Sequence, residues 1–312
     1  MSTRFAVIFS LLFICTTVLG ACTSDSRTDT IQQDKLKVIA TTSILGDVVS
    51  NVAGELVTLS VLLPPGTDPH SYEPTPQEMA ALAQADLVFA NGLGLEIFLE
   101  RMIQNAAGDI RVATVSSGID LLEPVEESGQ NNHSSQDEGD PHVWMDPNNV
   151  IVWAENILAT LSELDPENAL TYQANADNYQ AALLELDAWV SQQVKNIPPE
   201  NRELVTDHLV FAYYARRYEL TQVGAVVPAI SSIAEPSAQE VAALEDAIKL
   251  LNVRAIFFGS TVNPSLARRI AGDTRVQLVQ VYTGSLSEPG GPASTYIEMM
   301  RYNTNAIVQA LK

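Results

Sequence analysis

Basic residues are scarce in this chain: 17 Lys and Arg stand against 38 Asp and Glu, a formal charge of −21 over 312 residues. That balance excludes nucleic acid and an anionic membrane surface as electrostatic partners and is compatible with cations. No Lys or Arg occurs between Arg111 and Lys195, so the middle third of the sequence is the most cation-attracting. Cysteine is nearly absent as well. Cys15 lies inside an apolar leader and Cys22 just after it, so removal of the leader leaves one thiol and no disulfide within the mature chain. No His-Glu-x-x-His pair or nucleophile motif is present, and a hydrolase would need such an acid–base group. Histidine itself occurs four times, at His70, His133, His142 and His208, and this rarity makes each position informative.

The N-terminus reads as a targeting segment. Arg4 is followed by "FAVIFSLLFICTTVLG", too short to span a bilayer comfortably, and small residues lead to "LGAC". The pattern resembles the lipobox of bacterial lipoproteins. That resemblance implies a signal peptide over 1–21, cleavage before Cys22, lipidation of the Cys22 thiol and a location on the extracytoplasmic side of the cell membrane. The alternative is an ordinary secretory signal cleaved near Ala21. Residues 22–35 are polar and aperiodic and read as a flexible tether.

With 46% hydrophobic residues the remainder can bury a sizeable core and is long enough for two domains. "LKVIATTS", "LVTLSVLL", "DLVFAN" and "IRVATV" read as strands separated by helical patterns. Such alternation predicts an α/β lobe with a mostly parallel sheet over 36–165. Within it, 123–140 is an acidic, aperiodic loop, and "DPNNVIVWAENILATLSEL" begins a helix with Asp146 as N-cap and Pro147 at its first position. From Pro166 to Ile197 apolar residues recur at steps of three and four without Gly or internal Pro, which predicts one linking helix of about eight turns. A second alternating unit fills 198–312. The fold class is therefore α/β, two lobes joined by one long rigid helix, with any shared site in the cleft between them.

His70 in "GTDPHSYEP" follows the second strand, His142 in "DPHVWMDP" follows the acidic loop, and His208 in "VTDHLVF" ends the first strand of the second lobe. Ligands in such folds gather beyond the carboxyl ends of strands, and three neutral imidazoles suit zinc. Taken singly, each of these is more often a hydrogen-bonding turn residue than a ligand, and their spacing matches no compact zinc motif. Asp140 and Asp146 are candidates to hold the His142 tautomer, Asp146 alternatively serving only as a cap. Trp144 and Tyr72 read as packing under the site, and Phe211, Tyr213 and Tyr214 as core of their helix.

"GTDPHSYEPTP", "DPHVWMDP", "VTDHLVFAYYARRYEL", "AEPSAQEV" and "YTGSLSEPGGPASTYIEMMRYN" together resemble the successive blocks of the zinc- and manganese-capturing solute-binding proteins of bacterial ABC importers. The resemblance implies two α/β lobes on a backbone helix, His70, His142 and His208 as metal ligands, an ABC permease and its ATPase as partners, and no enzyme activity. It implies a monomer that docks on its permease and releases its ion by slight lobe rearrangement. Where many members carry an Asp in a "TDS" sequence, this chain reads "TGS", so Gly284 offers no side chain. That leaves the fourth place to water, Glu73, Glu235, Glu288 or His133. Three nitrogens favour Zn2+ over Mn2+ as the transported ligand. A catalytic zinc that activates water, and a surface adhesin, are the alternative functional classes.

Overall fold

A computed structural model describes residues 35–105, 110–122 and 139–312. The leader, the tether with Cys22, and the stretch that carries His133 lie outside the described residues. The first sheet contains β1 (Lys37–Thr42), β2 (Thr58–Leu63), β3 (Leu87–Ala90) and β4 (Val112–Thr114), all parallel, in the order β2-β1-β3-β4. Its crossovers carry α1 (Ser43–Ala53), α2 (Pro76–Leu82) and α3 (Ile97–Asn105). The second sheet repeats the plan: β5 (Glu203–Thr206), β6 (Thr221–Ala225), β7 (Ala255–Gly259) and β8 (Gln277–Val281), parallel, in the order β6-β5-β7-β8. Here α6 (Ala212–Tyr218), α7 (Ala238–Leu250) and α8 (Ser265–Thr274) make the crossovers.

Local chemistry fixes the helix starts. Thr42 caps α1 through the Leu45 N–H, and Gly54, at φ 57°, closes it in the left-handed conformation that glycine adopts without strain. Thr75 with Glu78, and Ser237 with Glu240, form reciprocal capping boxes at α2 and α7. Asp146 caps α4 (Pro147–Leu164) by accepting from the Asn148 N–H, with Pro147 at the first helical position.

Helix α5 (Ala169–Val194) joins the two sheets. Its 26 residues are fewer than the expected span of 166–197. At the start, Pro166–Asn168 form a 3-10 turn, and Asp165 accepts from Asn168 Nδ2 and the Tyr172 hydroxyl, which holds the chain out of the helix for one turn. At the end, Pro198 disfavours helical geometry at Ile197. The predicted stripe is buried throughout: Tyr172, Ala176, Tyr179, Leu183, Leu186, Val190 and Val194. It packs on α1, α4, α6 and the C-terminal helix α9 (Tyr296–Leu311).

The cleft expected between the lobes is not an open one. A single apolar cluster runs from Val38 and Phe89 in the first sheet, through Leu183 and Leu186 on α5, to Phe257 in the second sheet and Met299 on α9. Smaller clusters, around Leu63 and Phe98 and around Ile256 and Ile270, fill the outer face of each sheet. Because the central core is common to both sheets, Leu183→Ala is expected to lower stability by about 2–5 kcal/mol and to do so for both lobes together. Urea unfolding followed by fluorescence and by circular dichroism tests this. Two separate transitions, only one of them shifted, would contradict a shared core.

Candidate metal centre

Both sheets share a strand order in which the chain turns first to one side of β1 or β5 and then to the other, so each has a crevice at its carboxyl edge between the first and third strands. The second-lobe crevice is spanned by Asp207, which follows β5 directly. Its Oδ2 accepts the Gly259 N–H at the end of β7 at 2.7 Å, and its Oδ1 lies 2.9 Å from His208 Nδ1. His142 is held in the same way from the first lobe: Asp140 Oδ1 lies 2.8 Å from His142 Nδ1 and accepts the His142 N–H at 2.9 Å. In both cases a carboxylate on Nδ1 fixes the tautomer that leaves Nε2 with its lone pair free. Both rings are nearly sealed from solvent, His142 at 1% and His208 at 3% exposure.

His70 comes in on the long β2–α2 connection and is partly exposed. Asp68 Oδ1 accepts its backbone N–H at 3.0 Å. The three rings stand edge to face or tilted, with centroids 5.2 to 5.5 Å apart. One ring nitrogen from each falls within 4.8 Å of the others. Nε2 of His70 and Nε2 of His142 are 3.2 Å apart. A tetrahedral ion with Zn–N bonds of about 2.0–2.1 Å separates its donors by about 3.3 Å, so this edge already has the length a zinc ion would use.

Burial and the imidazoles of His142 and His208 hold His70 well below the usual histidine range. Burial also lowers His142, with Asp140 opposing it. For His208 burial acts in the same direction, but Asp207, with Asp68 and Asp140 adding to it, leaves the group raised.

Of the sequence-predicted residues, the structure brings together His70, His142 and His208. Glu73, Glu235 and Glu288 are exposed and stand outside this group, and His133 lies outside the described residues. At Gly284 an added Cβ would lie 2.9 Å from Cδ of the buried Pro69, so the ring next to His70 occupies the place where a side chain would begin. Asp140, not Asp146, hydrogen-bonds His142, and Asp146 caps α4. The Trp144 and His142 ring centroids are 5.3 Å apart and Trp144 Nε1 donates to the Thr283 carbonyl, while Tyr72 packs on Phe98.

Two contributors escaped sequence reasoning. Asp207 adjoins His208 in "TDH", and its neighbourhood to a histidine was the one available signal. Tyr213 was read as core only. It is fully buried, yet its hydroxyl donates to the Asp140 carbonyl at 3.0 Å and accepts the Leu122 N–H at 3.1 Å, so the second lobe holds both Leu122 and Asp140. No periodicity could have announced it. Behind His142, Asn91 Nδ2 donates to the Pro141 carbonyl, and the buried Glu96 accepts from the Asn91 N–H and the Thr41 hydroxyl.

Residues 38–310 match the family model of the periplasmic zinc-uptake complex component A, ZnuA. The chain belongs to this family. It is accordingly a metal-binding substrate-binding protein of the ABC-transporter type and not an enzyme. It is 36% identical to the manganese-binding lipoprotein MntA of Halalkalibacterium halodurans over 98% of both chains. Among solved structures it resembles the periplasmic zinc-binding protein TroA of Treponema pallidum, with a TM-score of 0.80 and 28% identity over 89% of this chain and 99% of that one. The Mn-bound periplasmic metal-binding protein of Candidatus Liberibacter asiaticus gives a TM-score of 0.77 and 29% identity over 89% of this chain and 100% of that one.

Asp207→Asn keeps the shape but removes the charge on His208 Nδ1, and is expected to weaken cation affinity about 10- to 100-fold. Isothermal titration of the variant, with circular dichroism to verify the fold, measures this. An affinity equal to that of the unaltered chain would reduce Asp207 to a strand-end fastener.

Proposed function

We propose that the protein captures Zn2+ outside the cytoplasmic membrane through His70, His142 and His208 and delivers it to a cognate ABC permease driven by its ATPase. The observation that carries this reading is the donor set: three imidazole nitrogens, two of them backed by carboxylates, and no carboxylate oxygen in the group among the described residues. Nitrogen donors favour zinc over manganese through ligand softness and the Irving–Williams order, and copper and nickel are excluded by availability. Water fills the fourth position, since among the described residues no further side chain joins the group and Gly284 is backed against Pro69. The protein acts as a monomer, anchored by lipid on Cys22 and reaching its permease on the 22–35 tether.

A second reading, manganese capture, is favoured by the name of the Halalkalibacterium halodurans relative, which matches along nearly the whole chain. Competition decides between the two. With Zn2+ and Mn2+ at equal concentration, native mass spectrometry of the purified chain is expected to find zinc retained, and retention of manganese would overturn the zinc assignment. His208→Ala is expected to abolish tight binding of either ion.

The proton balance gives a separate prediction. His208, raised by Asp207, favours the protonated form in the metal-free protein, whereas the lowered His70 and His142 favour the neutral form. Binding must then expel one proton, so affinity is highest above the His208 pKa and falls about tenfold per pH unit as pH drops through it, beginning above 6.5. Titrations between pH 5.5 and 8 read the slope. A third-order fall centred on 6.5 would mean three ordinary, independent histidines.

A further inference from the structure

The three histidines are not held alike. His142 and His208 each have a carboxylate on Nδ1 and are almost sealed, whereas among the described residues the His70 ring has one hydrogen-bonding contact, to His142 itself, and part of it meets solvent. A cation therefore reaches the cluster on the His70 side. On that flank lies a cavity of about 270 Å³ lined by Asp68, Ser71, Asp207, Ser232 and Asn263 among others. Two of its lining residues are the carboxylates that grip the His70 backbone and the His208 ring, so negative charge borders the cavity beside two of the three imidazoles.

Ser232 and Ile233 line it, within the irregular backbone of residues 230–236 between Pro228 and the start of α7, and Ile233 is 61% exposed. Apart from a local bond of 3.5 Å from the Ile233 N–H to the Ser231 hydroxyl, these residues make one hydrogen bond among the described residues. The Ser232 hydroxyl donates to Asp68 Oδ2 at 2.6 Å, across from the second lobe to the loop that carries His70. The His70 loop has a further tie to the second lobe, from the Gly66 N–H to the Ser285 hydroxyl, but that lies four residues away from His70.

We infer that residues 230–236 are a strap over the route by which the cation enters and leaves, and that the Ser232–Asp68 hydrogen bond is its latch. This rests on the three histidines being the cation's ligands. Opening the strap frees Asp68, and with it the His70 backbone, while His142 and His208 stay fixed by Asp140 and Asp207. The ion is thus met first by the two prearranged imidazoles and completed by His70, and release runs in the reverse order. A latch acts on the barrier common to both directions, so it changes rates more than affinity.

Stopped-flow mixing of the full-length chain with Zn2+, and of the zinc-loaded chain with excess EDTA, separates the two directions. Ser232→Ala is expected to raise both association and release on the order of tenfold, the effect of losing one hydrogen bond to a charged group, with Kd changed less than threefold. Ser232→Thr keeps the hydroxyl and is expected to restore the slow rates. Unaltered rates in Ser232→Ala would overturn the inference, as would a rise in release alone, which would make Ser232 a support of the loaded site. A full-length chain that binds Zn2+ nowhere would remove the metal reading and the strap with it. Altered rates without zinc loss in the unaltered chain keep the two questions apart.

Discussion

Three imidazoles packed within one coordination shell cannot all carry charge. Each ring is taken out of water by burial, which disfavours its charged form, and each would repel the others if protonated. One hydrogen bond, between His70 Nε2 and His142 Nε2, acts between the rings themselves, so the arrangement holds only if the surrounding structure imposes the rest. The protein imposes it with two carboxylates. Asp140 and Asp207 anchor two rings at Nδ1, and Asp207 is itself pinned to the opposite strand by the Gly259 N–H. The energy that holds the rings ready for a cation is thus stored in the fold before any cation arrives.

This constraint explains why the two lobes share a core. If the lobes were separate bodies on a flexible joint, the spacing between His142 and His208 would vary with the joint, and a 1 Å error is large against a bond of about 2.0–2.1 Å. Instead α5 packs on α1 and α4 of the first lobe and on α6 and α9 of the second, α9 packs on β7, β8 and α1, and the inter-lobe seam is stitched by hydrogen bonds on buried groups. Trp144 donates to the Thr283 carbonyl, the Tyr296 hydroxyl donates to the Trp144 carbonyl, and the Ser43 hydroxyl accepts the Leu286 N–H. Wide hinge closure is excluded by such a seam. What remains movable is the periphery of the site, where the chain is irregular and bonded sparsely.

Much of this was legible in the sequence, and the reasons are specific. Central strands such as β1 and β3 are buried on both faces and read as continuous apolar runs, and each of the four runs read as strands within 36–165 contains a strand of the structure. The α5 stripe was visible because one face of a long helix must be apolar when it lies on both lobes. The histidines stood out because they are few and follow strand ends. The contribution of Tyr213 was not legible, since a tyrosine in an apolar helix says nothing about where its hydroxyl points. Glu73, Glu235 and Glu288 were attractive as donors by proximity in sequence to the site's blocks, yet all three are exposed and stand outside the cluster. Proximity along the chain carries no information about direction in a loop, whereas at a strand end the sheet fixes the direction.

The same limit appears in the tripeptide Asp-Pro-His, which occurs twice, at 68–70 and at 140–142. In both copies the aspartate accepts the histidine backbone N–H, at 3.0 and 2.9 Å, which is the local property of the turn. The remaining bonding capacity is used differently. Asp140, at 5% exposure, turns to its own ring because burial leaves it no water and the Tyr213 hydroxyl fixes its carbonyl. Asp68 is partly exposed and reaches across to Ser232. Identical local sequence therefore yields one rigidly held imidazole and one loosely held imidazole, and burial makes the difference. A carrier needs both kinds: rigid donors alone would bind without releasing, and adjustable donors alone would lose the ordering entropy on every capture. Placing the adjustable donor at the edge of the fold and the rigid pair at its centre satisfies the two demands with a single core.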